Sequence, residues 1–206
     1  MVSRRNMLKT GLTAVFGACA VQTASASEVQ QKSQNNFDVV ILGAGTGGLV
    51  TAIEAADLGL KPVVLEKMEC SAGNSLYASG GIAAWGTSQQ KEEGRNETKE
   101  SFREDMMKVS EYRADPALVG AYVNHIPEDF EWLKKQGIKF SKIGKKPWPL
   151  NYRMHNVDGQ GLTGGARLVR YLLEACEKRN IPIIYNTKAI ELLTNDAGRV
   201  IGVRAQ

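Results

Sequence analysis

Histidine and cysteine are scarce in this sequence, at 2 and 3 of 206 residues, and the sites they would build are missing with them. Cys19, Cys70 and Cys176 show no CxxC spacing, which argues against a zinc site, a dithiol redox pair and a CxxCH haem attachment. There is no Walker-type phosphate loop and no nucleophile with an adjacent base, so the sequence names no catalytic residue and no metal ligand. Charge of one sign is also lacking. Lys and Arg number 26 against 22 Asp and Glu, and Arg4, Arg5 and Lys9 fall within an acid-free stretch of residues 1–26, leaving the remainder at +1. The stretch from Lys91 to Lys108 mixes both signs as a solvated face does, so no nucleic-acid surface is expected.

Long apolar runs are absent too, and the one short run has a definite place. Ser3-Arg4-Arg5-Asn6-Met7-Leu8-Lys9 precedes the apolar stretch Gly11 to Val21, which falls short of the roughly 20 apolar residues of a membrane span. Ala24-Ser25-Ala26 then supplies a small-x-small cleavage signal, so residues 1–26 read as an export peptide. The paired arginines resemble a bacterial twin-arginine signal, with Met7 where that pattern usually has Phe. This route carries folded proteins to the periplasm and suits a chain that takes up its cofactor before export. Phe16-Gly17-Ala18-Cys19 offers the alternative of a lipid anchor on Cys19. Either way, contact with a membrane is limited to the leader.

After a polar linker at residues 27–36, Phe37 to Leu42 is a β-branched run predicted to be a strand buried on both faces and the first of a parallel sheet. A glycine turn follows, then a helix with its apolar stripe at Leu49, Ile53, Ala56 and Leu58, ending at Gly59, and a second strand from Lys61 to Glu66. Amphipathic helices are expected over Thr98 to Val109 and Asp115 to Gln136, with Asp115-Pro116 as cap and first turn and Pro127 kinking or splitting the second near His125. Their aromatics read as core. Lys142 to Leu162, broken by Pro147, Pro149 and several glycines, reads as a long loop near a ligand or a domain junction. A helix over Gly165 to Lys178 precedes strands at Pro182 to Tyr185, Ala189 to Leu193 and Val200 to Ala205. The last of these is expected to present an open edge at Val200 to Val203.

Chemistry enters at the turn Gly43-Ala44-Gly45-Thr46-Gly47-Gly48. Placed between a buried strand and a helix, its GxGxxG spacing is that of the dinucleotide-binding βαβ unit, and Glu66 closes the second strand 21 residues after Gly45. Gly43 permits the tight turn, Gly45 lets the backbone approach a pyrophosphate, and Gly48 lets the helix lie close to the strand. The helix N-terminus then faces the anion. Glu66, followed by Lys67, is placed to accept the ribose hydroxyls, and its charge argues against the 2′-phosphate of NADP. Downstream, Gly73, Asn74 and Ser75, then Ser79, Gly80 and Gly81, form a second small polar loop where backbone amides can approach a large ligand. His155 sits in the Gly-rich loop and is either a site residue or a hydrogen-bonded loop histidine; His125 reads as packed or solvated.

In this second loop the sequence resembles the fumarate reductase and succinate dehydrogenase flavoprotein family, including its soluble periplasmic flavocytochrome members. Gly73-Asn74-Ser75 and Ser79-Gly80-Gly81-Ile82-Ala83-Ala84 match segments that line the flavin there. The resemblance extends through His125 to Leu133 and Thr163-Gly164-Gly165-Ala166, and so over residues 37–206. It implies an α/β fold with a Rossmann-like FAD-binding domain around a parallel central sheet, FAD as cofactor, and Ala189 as the residue whose backbone meets the adenine. Read alone, Ala189 is simply a strand residue.

The implied reaction is hydride transfer from reduced flavin to an unsaturated carboxylate, with a cytochrome or quinol-linked partner as electron donor. The family's capping domain and the residues that grip and protonate the substrate have no counterpart before Gln206. Residues 37–206 are therefore expected to be the N-terminal part of the domain, able to hold at most the ADP half of FAD. Flavin steroid dehydrogenases and aspartate oxidases resemble the same region and remain alternatives, as does a non-catalytic or split product.

Overall fold

The computed structural model describes residues 37–206 except 72, 146, 147 and 149–151. The expected export signal, the linker and Cys19 lie outside the described residues, as do Ala72, Pro147 and Pro149.

The β-branched run after Asp38 forms β1 (Val39–Leu42), and α1 (Thr46–Asp57) returns the chain to β2 (Pro62–Leu65), which lies parallel to β1 in the register Val40 to Val63 and Ile41 to Val64. Much later β5 (Ile183–Ile184) joins the other side of β2, also parallel, giving the order β1-β2-β5. α5 (Gly164–Lys178) packs beside α1, and Leu49, Ala52 and Ile53 share one apolar cluster with Ile41, Val64, Val169, Leu172 and Cys176. The expected α/β fold with a parallel central sheet is therefore present.

β1 is not buried on both faces. Ile41 is covered, but Val40 and Leu42 are 37% and 50% exposed. Side chains alternate along a strand, and these two point away from the helices into a groove shared with Leu192 and Ile201. Leu58 also departs from expectation. It lies just past the end of α1 and is 72% exposed, while Ala52 and Ala55 complete the buried face.

A second apolar cluster lies under α3 (Lys99–Val109) and α4 (Pro116–Lys135), where Phe102, Val119, Val123 and Ile126 enclose Ala84. Thr98 and Asp115 cap these helices by accepting the amide hydrogens of Ser101 and Ala117. The expected aromatic core holds for Phe102 and Phe130, whereas Tyr122 sits at the margin and donates its hydroxyl to the Ala83 carbonyl.

α4 runs unbroken through Pro127, so the expected split does not occur. A proline lacks the amide hydrogen that would satisfy the carbonyl four residues back. That carbonyl belongs to Val123, and it accepts the indole Nε1–H of Trp85 at 2.8 Å instead. The carbonyl is not left orphaned, so the helix continues without a lost hydrogen bond at this turn.

The expected long loop from Lys142 to Leu162 contains β4 (Met154–Asn156), paired antiparallel with β3 (Gly81–Ala83) inside the second glycine loop. α2 (Ser88–Glu92) follows β3, opened by a capping box between Thr87 and Gln90. Beyond β5, β6 (Ala189–Thr194) and β7 (Val200–Ala205) form an antiparallel hairpin around a turn that Asn195 Oδ1 closes by accepting the amides of Ala197 and Arg199. The Val200 to Val203 stretch thus has β6 as a partner on one side. Among the described residues no helix is long and apolar enough to cross a membrane.

Candidate cofactor site

At the C-terminal end of β1 the backbone turns sharply. Gly43 has φ +99°, a conformation that side chains resist, and its amide donates to the Leu65 carbonyl at 2.8 Å. At Gly48 a Cβ would collide with the Gly43 carbonyl oxygen and lie 3.4 Å from Ile41 Cγ2, so this glycine is what lets α1 approach β1. Gly45 is the N-cap of α1. The helix has no side-chain cap of its own and no acid in its first turn, so the groups that meet its positive end come from elsewhere in the chain.

Glu66, at the end of β2, is 7% exposed and bends toward that turn. Its Oε2 accepts the buried Ala44 amide at 2.7 Å and its Oε1 accepts the Met68 amide at 2.9 Å. An ionised carboxylate offers about four lone-pair sites. Two are taken by these amides, which leaves acceptor capacity for hydroxyl donors.

The second loop comes to the same place. Gly73, Asn74 and Ser75 lie in a short 3₁₀ turn (Gly73–Tyr77), and Ser75 Oγ accepts the Thr46 amide at 3.3 Å and lies 2.8 Å from Thr46 Oγ1. Residues far apart in sequence therefore meet over the first turn of α1. Ser79 and Gly80 press on the start of α5: a Cβ on Gly164 would strike the Ser79 carbonyl, one on Gly165 the Ser75 carbonyl, and one on Gly80 the Gly164 backbone. Thr163 caps α5 through the Ala166 amide and donates its hydroxyl to the Leu76 carbonyl at 2.9 Å. Gly81 continues the loop into β3.

Ala189 opens β6 just after a segment tied to the end of β2, where the amides of Asn186 and Thr187 donate to the Met68 and Glu66 carbonyls. Lys67, Gly73 and Asn74 are exposed, as is Gly47 in the first turn of α1. Gly164 and Gly165 were not among the expected site residues. Their signal was available: two glycines in a helix's first turn, where alanine would be the better helix former, mark a close backbone approach.

His155 is fully buried on β4, ringed by Phe130 and Phe140, and the desolvation of its charged form pulls its pKa below the ordinary 6.5. His125 is exposed on α4. Cys70 and Cys176 are both free; Cys70 is exposed, and burial raises the Cys176 thiol to about 11. Among the described residues no three His, Cys, Asp or Glu side chains gather as metal ligands.

The arrangement fits the adenosine diphosphate portion of FAD. A helix N-terminus with a glycine in place of a capping side chain, behind a glycine turn, suits the pyrophosphate, and a buried carboxylate with spare acceptor capacity suits the ribose hydroxyls.

Comparison with known proteins agrees. The chain is 36% identical over 169 residues to a cytochrome-type fumarate reductase of Shewanella frigidimarina, an alignment covering 82% of this chain and 29% of that protein. Among solved structures it is similar to the open conformation of a flavocytochrome c3 fumarate reductase, with a TM-score of 0.71, 27% identity, and coverage of 82% of this chain and 30% of that one. It is similar as well to the 3-ketosteroid-Δ4-(5α)-dehydrogenase of Rhodococcus jostii RHA1, with a TM-score of 0.74, 26% identity, and coverage of 84% and 43%. The chain thus spans less than a third of the length of the fumarate reductases it matches. Residues 38–206 match the model of the FAD binding domain, and by that match the chain belongs to the FAD binding domain family, whose cofactor is FAD.

Proposed function

We propose that this chain is the N-terminal part of an FAD-dependent oxidoreductase of fumarate reductase type, acting on a small unsaturated carboxylate. Bound FAD supplies hydride chemistry through its flavin ring. The chain's own residues bind and orient the cofactor. In this reading Gly43, Ala44 and Thr46 hold the shape of the turn while Gly45, Gly47 and Gly48 present backbone amides and the α1 dipole to the pyrophosphate, and Glu66, beside Lys67, accepts the ribose hydroxyls. Gly73, Asn74, Ser75, Ser79, Gly80 and Gly81 line the cofactor from the second loop, and the Ala189 backbone meets the adenine. The carrying observation is that the two glycine loops converge on the first turn of α1, joined by Ser75 Oγ.

The same reading takes residues 1–26 as a twin-arginine export signal, 27–36 as a linker and 37–206 as part of the FAD-binding domain. The protein is then periplasmic, and its electron donor is a cytochrome or quinol-linked partner. The similarity to the ketosteroid dehydrogenase favours one competing reading, a flavin dehydrogenase of the same fold with a different substrate.

The test is flavin retention. The chain is mixed with FAD, freed of excess by gel filtration, and examined by visible absorbance. Co-eluting flavin supports the assignment, and folded protein without flavin refutes it.

A further inference from the structure

His155 is a polar ring in an apolar clasp, its centroid 4.4 Å from Phe130 and 6.5 Å from Phe140. A phenyl ring would fill that space without the cost of burying polar atoms. What the imidazole adds is a set of bonds. Its Nδ1 faces the carbonyls of Arg153 at 2.8 Å and Ile82 at 3.3 Å, and carbonyls only accept, so Nδ1 carries the hydrogen. Its Nε2 is then a bare acceptor, 2.9 Å from Thr87 Oγ1. That hydroxyl already accepts the Gln90 amide at 3.1 Å, leaving its own hydrogen free for the ring.

One side chain therefore joins β4, β3 and the cap of α2. The ribbon it clamps carries the second glycine loop, through the pairing of Ile82 with His155, the Val157 amide on the Gly80 carbonyl and the Ala84 amide on the Arg153 carbonyl. At its far end Gly80 is already held against α5 by the Gly164 contact.

We infer that His155 is a positioning residue for FAD: with Thr87 it fixes the β3–β4 ribbon so that Gly80 and Gly81 stand where the cofactor requires them. This rests on the assignment of the second loop to FAD. Without the clamp the ribbon can shift, and the ordering that the fold now supplies would fall on the binding step.

The test uses the full chain and two readouts: the FAD dissociation constant from quenching of flavin fluorescence, and amide hydrogen exchange at Ala84 and Val157 without FAD. His155→Phe keeps the ring volume and removes both polar atoms. It is expected to weaken FAD at least tenfold and to speed exchange at both amides at least tenfold. His155→Asn, which returns a donor near the Nδ1 position, should recover most of each. Leu172→Ala, in the α1–α5 cluster, serves as the control for lost stability and should leave ribbon exchange as in the wild type. Where His155→Phe yields no folded chain, Thr87→Val removes the other end of the clamp and should act in the same direction. Unchanged exchange, or unchanged FAD affinity, in a folded variant overturns the inference. A wild-type chain that binds no FAD overturns the site assignment and this role in it, while exchange still decides whether His155 holds the ribbon.

Discussion

Replacing Trp85 by Phe removes the indole hydrogen that serves the Val123 carbonyl at 2.8 Å. Val123 is fully buried, and Pro127 has no amide hydrogen to take over. A buried acceptor left unsatisfied costs about 1–3 kcal/mol, to which the smaller ring adds lost packing. In a domain of this size each kcal/mol lowers the melting temperature by about 2–4 °C. Trp85→Phe alone does not separate the two causes, but a cycle with Pro127→Ala does. Alanine at 127 restores the helical amide to the Val123 carbonyl, so in that background Trp85→Phe should lose only packing. The two substitutions should couple by about 1 kcal/mol, with Trp85→Phe milder when Ala occupies 127. Urea unfolding of the four proteins followed by far-ultraviolet circular dichroism measures this. Additivity within about 0.3 kcal/mol would refute the account of why α4 tolerates its proline.

Gly164→Ala places a Cβ 2.8 Å from Gly80 Cα and into the Ser79 carbonyl, so it should cost about 1–3 kcal/mol in thermal unfolding; a neutral result would mean that the loop–helix contact is slack. His155 is held below its usual pKa of 6.5, first by desolvation, against the opposing pull of the Arg153 and Ile82 carbonyls and of the Glu93 and Glu131 charges. The unfolded chain therefore binds more protons just below pH 6.5. The stability tied to the neutral ring should be present above that pH and lost as pH falls through the folded value. Melting temperatures between pH 7.5 and 5 should drop more steeply for the wild type than for His155→Asn. Cys176, raised by burial to about 11, should resist thiol reagents at pH 8 in a Cys19→Ser background, while exposed Cys70 reacts; two fast thiols would contradict its burial.

The βαβ unit was legible because its signals are local. A β-branched run, glycines at fixed spacing and an acid at the end of the next strand each act within a few residues of where they stand, and Gly43 and Glu66 fall as expected. The misses were set by partners distant in sequence. β4 is three residues long, Met154–Asn156, too short to show alternation, and it exists through pairing with β3 far upstream. Pro127 does not split α4, because an indole 42 residues earlier supplies the missing hydrogen. β1 looked doubly buried because its residues are apolar throughout, yet helices α1 and α5 cover the face of Ile41 and leave Val40 and Leu42 facing a groove. His155 could not be settled from sequence, since a buried histidine and a site histidine have the same neighbours in the chain.

Glu66 shows why affinity alone is a poor reporter of this site. Its carboxylate is committed to two backbone amides before any ligand arrives, and glutamine offers one oxygen where two are used. Glu66→Gln should therefore turn its NH2 group toward the Ala44 or Met68 amide and cost about 1–3 kcal/mol of stability with no cofactor present. A loss of FAD binding in this variant could come from a deformed turn as easily as from a missing ribose contact. The two separate when stability and linkage are read together. At a concentration 100 times its dissociation constant a ligand adds about 2.7 kcal/mol to the folded state. If Glu66 holds the ribose, the variant's FAD-induced rise in melting temperature, taken from its own lower baseline, should shrink relative to the wild type, with the gap fully developed at FAD concentrations well above both dissociation constants. If that rise matches the wild type while the baseline falls, Glu66 serves the glycine turn alone, and the ribose contact lies elsewhere.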